Sequence, residues 1–473
     1  MNVTRRSALG LALASILGVA GCAAQEETTT SANETTAAEA EATEETTTGR
    51  QAITDDTDNG HAISVSAETA TYQAVDVTKT GDAEGDEADF YGTNAAVYAG
   101  EGATLDLTDV TVTTDGTHAN AVFSYGEGTT VNITESTIRT SNNCSGGIMV
   151  TGGGTLNATN LDIHTTGNSS AAIRSDRGGG TQNVAGGTYV TDGTGSPVIY
   201  STADVRVSGA TLTSTASQGV VVEGKNSVAL ADCELTASNT TKNSDKSDWY
   251  QAVMIYQSMS GDAAEGEASF SMAGGALDNA NGDILFVNNT VATIDLSGVA
   301  ITNQDPEGVL LRAAAAGWGN EGSNGGHVNL TLADKQVAGD IVVDEVSELN
   351  LYLREGTSYE GAVSADTGAA VYVELESGST WKLAGDSFVT SLTCDADAID
   401  LNGFVLSVGD ASYAAGSAST GEAIEFTVAS GGGMGEAPDG MPGEPPEGGQ
   451  GGEPPAGGPG DGGEPPAKPE DSN

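Results

Sequence analysis

Hydrophobic residues recur along the chain in short alternating runs, and the runs repeat with a period of about 25 residues. Each unit contains three β-prone runs separated by Gly, Asn, Ser or Asp, for example 96–98, 104–107 and 110–113. Three short strands per unit at a constant period predict one coil of a parallel β-solenoid. Apolar residues occupy the same place in five successive units: Val97, Val122, Ile148, Ile173 and Ile199.

Other fold classes do not account for this pattern. Helices need apolar residues three and four positions apart, a spacing that is nearly absent here. A β-sandwich needs hairpin signals and would not produce a fixed period. Longer loops interrupt the repeat before Met254 and around Trp318, and the runs become shorter beyond about residue 328. Residues 328–415 are therefore either narrower coils of the same solenoid or a separate β domain.

The repeat pattern of residues 60–415 resembles that of the right-handed parallel β-helix, or pectin-lyase-like, superfamily. The resemblance implies an all-β fold, a right-handed parallel β-helix with three short strands per coil. The right-handedness comes from the resemblance alone, because a period does not determine a hand. A repeat pattern is informative about the fold and carries no information about activity.

The first residues are typical of an export signal. Arg5 and Arg6 precede an apolar run of about 13 residues, which is too short for a bilayer span of ~20 residues. The sequence VAGC at 19–22 resembles the lipobox of bacterial lipoproteins. That resemblance implies removal of residues 1–21 and lipidation of Cys22; the alternative is a chance cysteine after an ordinary signal peptide.

Composition predicts disorder on both sides of the solenoid. Residues 22–59 are rich in Thr, Ala and Glu and have little apolar content, which predicts a disordered acidic tether. Residues 416–473 are rich in Gly, Pro and Glu and repeat Gly-Glu-Pro-Pro, which predicts an extended, mobile tail.

The chain carries 67 acidic and 16 basic residues, a formal net charge of −51. A field of this sign repels nucleic acid and anionic membrane surfaces, so we expect no nucleic-acid partner. It tolerates hard cations, and Ca²⁺ is the candidate cofactor because it prefers carboxylate and carbonyl oxygens.

Three cysteines lie in the repeat region: Cys144, Cys233 and Cys394. Cys144 and Cys233 are three or more coils apart, roughly 15 Å if coils stack at ~4.8 Å. A disulfide needs Cα atoms within about 7 Å. We therefore predict buried free thiols.

One outer face of the solenoid carries the candidate ligand-binding residues. If Ile173 and its equivalents point inward, the residues that follow them point outward, and an inward Arg174 would be costly. An aromatic row beside charged groups suits a sugar chain. The alternative is a covered surface, with the aromatic rings under the segment before residue 94 or under an inserted loop. The row and its adjoining turn comprise Tyr98, Phe123, Met149, Arg174, Tyr200, Asp176 and Arg177.

The inserted loops supply further candidates. Trp249 and Trp318 either stack on a sugar or anchor their loops to the coils. Asp262, Glu265 and Glu267 lie among small residues and are candidate Ca²⁺ ligands, although their spacing matches no known loop.

Evidence for catalysis is weak. Pectate lyases, within the resembled superfamily, use acidic residues that bind Ca²⁺ and an Arg base, which Arg174, Asp176 and Glu223 could imitate without forming a recognisable cluster. Related galacturonases use a Gly-His-Gly motif, which this chain lacks. The four histidines are scattered and have no spacing typical of a zinc site or a triad: His61, His118, His164 and His327.

These observations predict an exported bacterial protein, lipid-anchored to the outer face of the cytoplasmic membrane. We expect its solenoid to act as an adhesin or glycan-binding surface without catalysis, with a polysaccharide or a host glycan as partner. The first alternative is a Ca²⁺-dependent polysaccharide lyase or a glycoside hydrolase on the same outer face. The second is a structural spacer without a small ligand.

Overall fold

A computed structural model describes residues 50–85, 87–240, 246–258 and 260–426. The predicted signal peptide, Cys22, most of the predicted tether and most of the predicted tail lie outside these residues. Within the described part of the chain, no helix has the length and hydrophobicity that crossing a bilayer requires.

The first coils of the solenoid contain thirteen short strands and one short helix. Their bounds are β1 (Gln51–Asp55), β2 (Ile63–Ser66), β3 (Thr69–Gln73), β4 (Val75–Lys79), α1 (Glu87–Tyr91), β5 (Val97–Gly100), β6 (Thr104–Thr108), β7 (Thr111–Thr114), β8 (Val122–Tyr125), β9 (Thr130–Thr134), β10 (Thr137–Thr140), β11 (Ile148–Thr151), β12 (Gly154–Thr159) and β13 (Asp162–Thr165).

The middle coils continue the same order. Their strands are β14 (Ile173–Ser175), β15 (Gly180–Ala185), β16 (Thr188–Thr191), β17 (Ile199–Ser201), β18 (Asp204–Ser208), β19 (Thr211–Ser214), β20 (Val220–Glu223), β21 (Ser227–Ala231), β22 (Glu234–Ala237), β23 (Gln251–Tyr256), β24 (Glu267–Ala273), β25 (Ala276–Asn279), β26 (Asp283–Asn288), β27 (Thr290–Ser297) and β28 (Ala300–Asn303).

The last coils have shorter strands. These are β29 (Leu311–Ala313), β30 (Gly326–Ala333), β31 (Gln336–Ala338), β32 (Ile341–Val343), β33 (Glu348–Arg354), β34 (Ser358–Glu360), β35 (Val363–Ala365), β36 (Ala370–Leu375), β37 (Thr380–Lys382), β38 (Ser387–Val389), β39 (Ser391–Thr393), β40 (Ile399–Asp400), β41 (Leu406–Val408) and β42 (Ala411–Ser412).

Every third strand joins the same parallel sheet, so each coil contributes one strand to each of three long sheets. Sheet A contains ten strands from β1 to β28, sheet B twelve from β2 to β35, and sheet C thirteen from β3 to β39. This arrangement confirms the predicted parallel β-helix. Beyond β28 a four-stranded sheet, β31-β34-β37-β40, accompanies sheets B and C. Because sheets B and C run without interruption past residue 328, the last coils continue the same solenoid.

The core is a continuous apolar interior between the three sheets. Val97, Val122, Ile148, Ile173 and Ile199 are fully buried in it, as the period predicted. Burial of one such side chain contributes about 1.5–3 kcal/mol. A single coil has no partner for its apolar face, so the stacking of neighbouring coils stabilises the fold.

The solenoid begins at Gln51, nine residues before the predicted boundary at residue 60. Strand β1 pairs with β4, and Arg50 forms ion pairs of 2.7 Å with both Asp76 and Asp109. An edge strand covered on one side only has little apolar content, which explains why composition placed β1 in the tether. At the other end, Ile424 donates its backbone N–H to the Asn350 amide, inside the range predicted as tail.

The three cysteines are free thiols, as predicted. Cys233 and Cys394 are buried, whereas Cys144 is partly exposed. Burial raises the pKa of Cys233 and of Cys394 above the ordinary thiol value. The two buried thiols are therefore held in the neutral, unreactive form.

Candidate functional site

The predicted outer row of sheet B lies in a single file. The strand register places Tyr98, Phe123, Met149, Arg174 and Tyr200 on successive rungs. Because side chains alternate along a strand, the file faces away from the core that contains Ile173. The geometric part of the prediction agrees with the structure.

This row is covered. Phe123 and Met149 are fully buried. The chain around α1 lies over them: a Cβ on Gly92, whose φ is +70°, would stand 2.7 Å from the Phe123 ring, so only glycine fits there. Thr151 donates to the Phe90 carbonyl oxygen at 2.6 Å and ties α1 to the sheet. Of the two interpretations of the row, the covered surface agrees with the structure.

Arg174 lies in a buried ion network. Its guanidinium contacts both carboxylate oxygens of Asp89 at 3.1 Å and Asp176 at 3.3 Å. Burial opposes ionisation of Asp89, but Arg174 and His118 outweigh it and hold the Asp89 pKa below its usual value. Burial raises the pKa of Asp176 to about 7, against the attraction of Arg174. Asp89 is therefore held ionised by Arg174 and His118 together, and Asp176 shares the same guanidinium.

Arg177 lies at the edge of the same network. Its guanidinium carbon lies 3.9 Å from the centre of the Phe90 ring, and its Nη2 lies 2.6 Å from an Asp262 oxygen. Asp262 is thus a partner of Arg177. Glu267 accepts a hydrogen bond from Thr293 at 2.5 Å, and Glu265 is exposed. Among the described residues, the predicted Ca²⁺ ligands Asp262, Glu265 and Glu267 do not form a group within reach of one ion.

Tyr200 belongs to a second buried cluster around Glu223. The hydroxyls of Tyr200 and Tyr256 both donate to one oxygen of Glu223, the latter at 2.9 Å. Burial raises the pKa of Glu223, and the two hydrogen bonds oppose this shift. Glu223 is thus held by its own neighbours beneath the loops instead of facing an open cleft.

Both loop tryptophans pack on the coils. The Trp249 ring lies 5.9 Å from Phe286, with the Arg312 guanidinium 4.6 Å from its centre. The Trp318 ring lies 5.1 Å from Tyr256, edge to face. These contacts place both rings in one apolar cluster over sheet B. They favour the interpretation in which the tryptophans anchor their loops.

One cluster was missed by the sequence analysis: Asp89, His118 and Cys144 place a carboxylate oxygen, an imidazole nitrogen and a sulfur within 4.8 Å of one another. His118 Nδ1 lies 3.0 Å from Asp89 Oδ2. Burial lowers the His118 pKa, but its interactions with Asp89 and Cys144 outweigh this and raise it to about 10. The one-coil spacing between His118 and Cys144 was a sequence signal for part of this cluster.

The outer face of sheet C is open and regular. Asp106, Asn132, Asn157, Asn183 and Arg206 occupy successive rungs of one file. Each asparagine donates its Nδ2 to the preceding side chain, at 2.8, 2.9 and 3.0 Å. This ladder fixes the amides in one orientation. Each amide keeps hydrogen-bonding capacity for an outside group, because an amide has two N–H donors and two lone pairs.

A groove of about 590 Å³ continues this file along sheet C. It exists because alanine and serine replace larger side chains on neighbouring rungs, beside Arg206. These small residues include Ala185, Ser208, Ala229, Ala231, Ser271 and Ala273. The asparagines recur at intervals of one coil, so this file was visible in the sequence, although it was not among the predicted sites.

Neither the comparison with protein-family models nor those with curated proteins and solved structures gave a match. The parallel β-helix is established by the strand pairings themselves. The function has to be argued from the side chains that the coils present.

Proposed function

We propose that the protein binds an extended neutral polysaccharide on the outer face of sheet C, without chemical change to the polymer. The observation that carries the proposal is the amide ladder, half-exposed at Asn132 and Asn157 and exposed at Asn183, which leads into the groove beside Arg206. Rungs at ~4.8 Å present the same groups at regular intervals, which suits a repeating polymer. The small residues of the groove let sugar rings approach the sheet closely.

The charge of the chain favours a neutral ligand. A net charge of −51 repels polyanions, and Arg206 is the cationic side chain among those that line the groove. Amides and a guanidinium both bond to sugar hydroxyls. This proposal keeps the glycan-binding role predicted from the sequence and moves it from sheet B to sheet C, because the sheet B row is covered.

We expect Arg206→Ala to weaken polysaccharide binding by about fivefold to tenfold, or about 1–1.4 kcal/mol. Arg139→Ala is the matched control, because Arg139 is a partly exposed arginine on sheet A, paired with Asp162 at 2.6 Å. Isothermal titration with a soluble β-glucan and a galactomannan, and with polygalacturonate as the acidic comparison, measures the effect.

Three outcomes contradict the proposal. Equal losses of polysaccharide binding in Arg206→Ala and Arg139→Ala would show that sheet C is not the binding face. A folded protein that binds none of the polymers would favour the structural spacer. New reducing or unsaturated ends, with or without Ca²⁺, would favour the hydrolase or lyase.

We also propose export and lipid anchoring, with the β-helix belonging to the pectin-lyase-like superfamily. The support is the VAGC sequence at 19–22 and the run of Thr and Glu that follows it. Cys22→Ser is expected to move the protein from the membrane fraction to the soluble fraction, because the substituted residue cannot be lipidated. Cys144→Ser is the matched control and should stay with the membrane. Retention of the Cys22→Ser protein in the membrane fraction would refute lipid anchoring at Cys22.

A further inference from the structure

Three separate elements build the cluster of Asp89, His118 and Cys144. Asp89 comes from α1, while His118 and Cys144 occupy equivalent turns of successive coils, before β8 and β11. Both turn residues have left-handed backbone, with φ of 54° and 56°. The backbone N–H of His118 donates to the carbonyl oxygen of Asn143, directly before Cys144. The stacking of the coils therefore holds His118 and Cys144 beside each other, and α1 supplies Asp89.

The charges of the cluster are unequal. Arg174 and a protonated His118 both face Asp89, so two cations share one fully ionised carboxylate. Asp176 compensates only in part, because burial raises its pKa to about 7. The positive charge that remains lies beside the Cys144 turn. Cations beside a sulfur stabilise its thiolate form, which is the nucleophile in thiol chemistry.

Cys144 also differs from the other described thiols in access. Its side chain is partly exposed, whereas Cys233 is fully buried and Cys394 is 4% exposed. His118 also differs from His164, which likewise pairs with an aspartate. His164 lies 2.7 Å from Asp192 on sheet A, but among the described residues this pair has no cysteine sulfur beside it. Acid, imidazole and sulfur therefore coincide at Cys144, which is the partly exposed cysteine among the three that the structure describes.

We propose that Cys144 is a reactive thiol that exchanges with small-molecule disulfides, with His118 and Asp89 as positioning residues. The Cys144 sulfur attacks one sulfur of a disulfide RSSR and forms a mixed disulfide. The RS–SR bond breaks, and the proton lost by Cys144 leaves with the released thiol RSH. One disulfide replaces another, so the exchange needs no further oxidant.

The backbone around Cys144 favours thiol–disulfide exchange over acyl transfer. Acyl transfer needs free donors for an oxyanion. The backbone N–H of Cys144 donates to the Asn168 carbonyl oxygen. Those of Ser145 and Gly146 donate to the side chains of Ser170 and Asn120. Thiol exchange needs no such donors.

The surroundings also disfavour a metal ion. Arg174 contacts both oxygens of Asp89, so a cation would have to displace a guanidinium and tolerate its charge. The same guanidinium supports an anionic sulfur. Arg174 Nη1 lies 3.4 Å from the Cys144 carbonyl oxygen, which places its charge at this turn.

Incubation of the full chain with glutathione disulfide at pH 7, followed by peptide mass spectrometry, tests the proposal. We expect Cys144 to acquire glutathione about tenfold faster than Cys233 and Cys394, and dithiothreitol to reverse the modification. Equal rates at the three thiols would overturn the proposal. Stoichiometric Zn²⁺ that protects Cys144 would overturn it in favour of a metal site.

His118→Gln separates positioning from structure. Because the raised pKa of His118 keeps that imidazole protonated between pH 6 and 8, the native protein should react faster at Cys144 than His118→Gln throughout this range. In His118→Gln the rate should fall about tenfold at pH 7, because an imidazolium no longer faces the sulfur. His164→Gln is the matched control, with no expected effect. An equal rate at Cys144 in the native protein and in a folded His118→Gln would overturn the positioning role, and a native Cys144 that reacts no faster than Cys233 would overturn the proposal whether or not the variant folds.

Discussion

Replacing Arg174 with methionine is expected to lower the free energy of unfolding by about 3–5 kcal/mol, the range found when one partner of a buried ion pair is removed. Methionine has a similar length and preserves much of the packing. It leaves Asp89 and Asp176 without the guanidinium that contacts both of them. Urea unfolding at pH 7, followed by far-ultraviolet circular dichroism, measures the difference.

Two controls distinguish this loss from a general effect of removing an arginine. Arg206→Met changes an exposed arginine of sheet C and should cost less than about 0.5 kcal/mol. The Arg174→Met deficit should shrink as the pH falls from 7 to 4. Without the guanidinium, burial acts on both carboxyls with less opposition and raises their folded-state pKa relative to the native protein, while His118 still faces Asp89. Protonation at lower pH therefore recovers part of the lost stability. A loss below about 1 kcal/mol, or a deficit that grows in acid, would contradict the ion network as described.

The sequence was sufficient to predict the file that contains Phe123 and Arg174, because both consequences follow from local rules. Alternation along a strand decides which side chains face outward, and the repeat period decides which rungs align. The position of α1 over this file depends on neither rule. Asp89 reaches Arg174 across 85 residues from a five-residue helix that has no counterpart in the other coils as far as the structure describes them. Contacts of this kind leave no periodic trace in the sequence.

The same reasoning explains how much of the thiol cluster and of the asparagine ladder could be predicted from the sequence. His118 and Cys144 end successive repeat units, so the period alone places them beside each other. Asp89, which gives the pair its charge, comes from outside the repeat. The asparagine ladder was fully visible as a periodic feature and was missed because amides are usual on a solvated face. Its regular orientation depends on hydrogen bonds between rungs, which the structure defines.

Trp381→Ala is expected to destabilise the last coils by about 3–5 kcal/mol, the range for large-to-small changes at buried aromatic positions. Trp381 is fully buried in the narrow end of the solenoid. Its Nε1 donates to the Gly361 carbonyl oxygen at 2.9 Å, and its ring lies 6.2 Å from that of Tyr359 on the preceding rung. The substitution leaves a cavity the size of the indole ring. Few neighbouring side chains in these coils are large enough to move in and fill it.

Tyr359→Phe provides the matched comparison, because it removes only the hydroxyl that donates to the Gly339 carbonyl oxygen at 2.9 Å. That change should cost about 1 kcal/mol. Since the strands of each coil pair with those of the neighbouring coils, the loss in Trp381→Ala should be local. Amide hydrogen exchange should become faster between residues 330 and 410 and stay unchanged near Ile148 and Ile173. Uniformly faster exchange along the whole solenoid would instead show that the coils unfold as one cooperative unit.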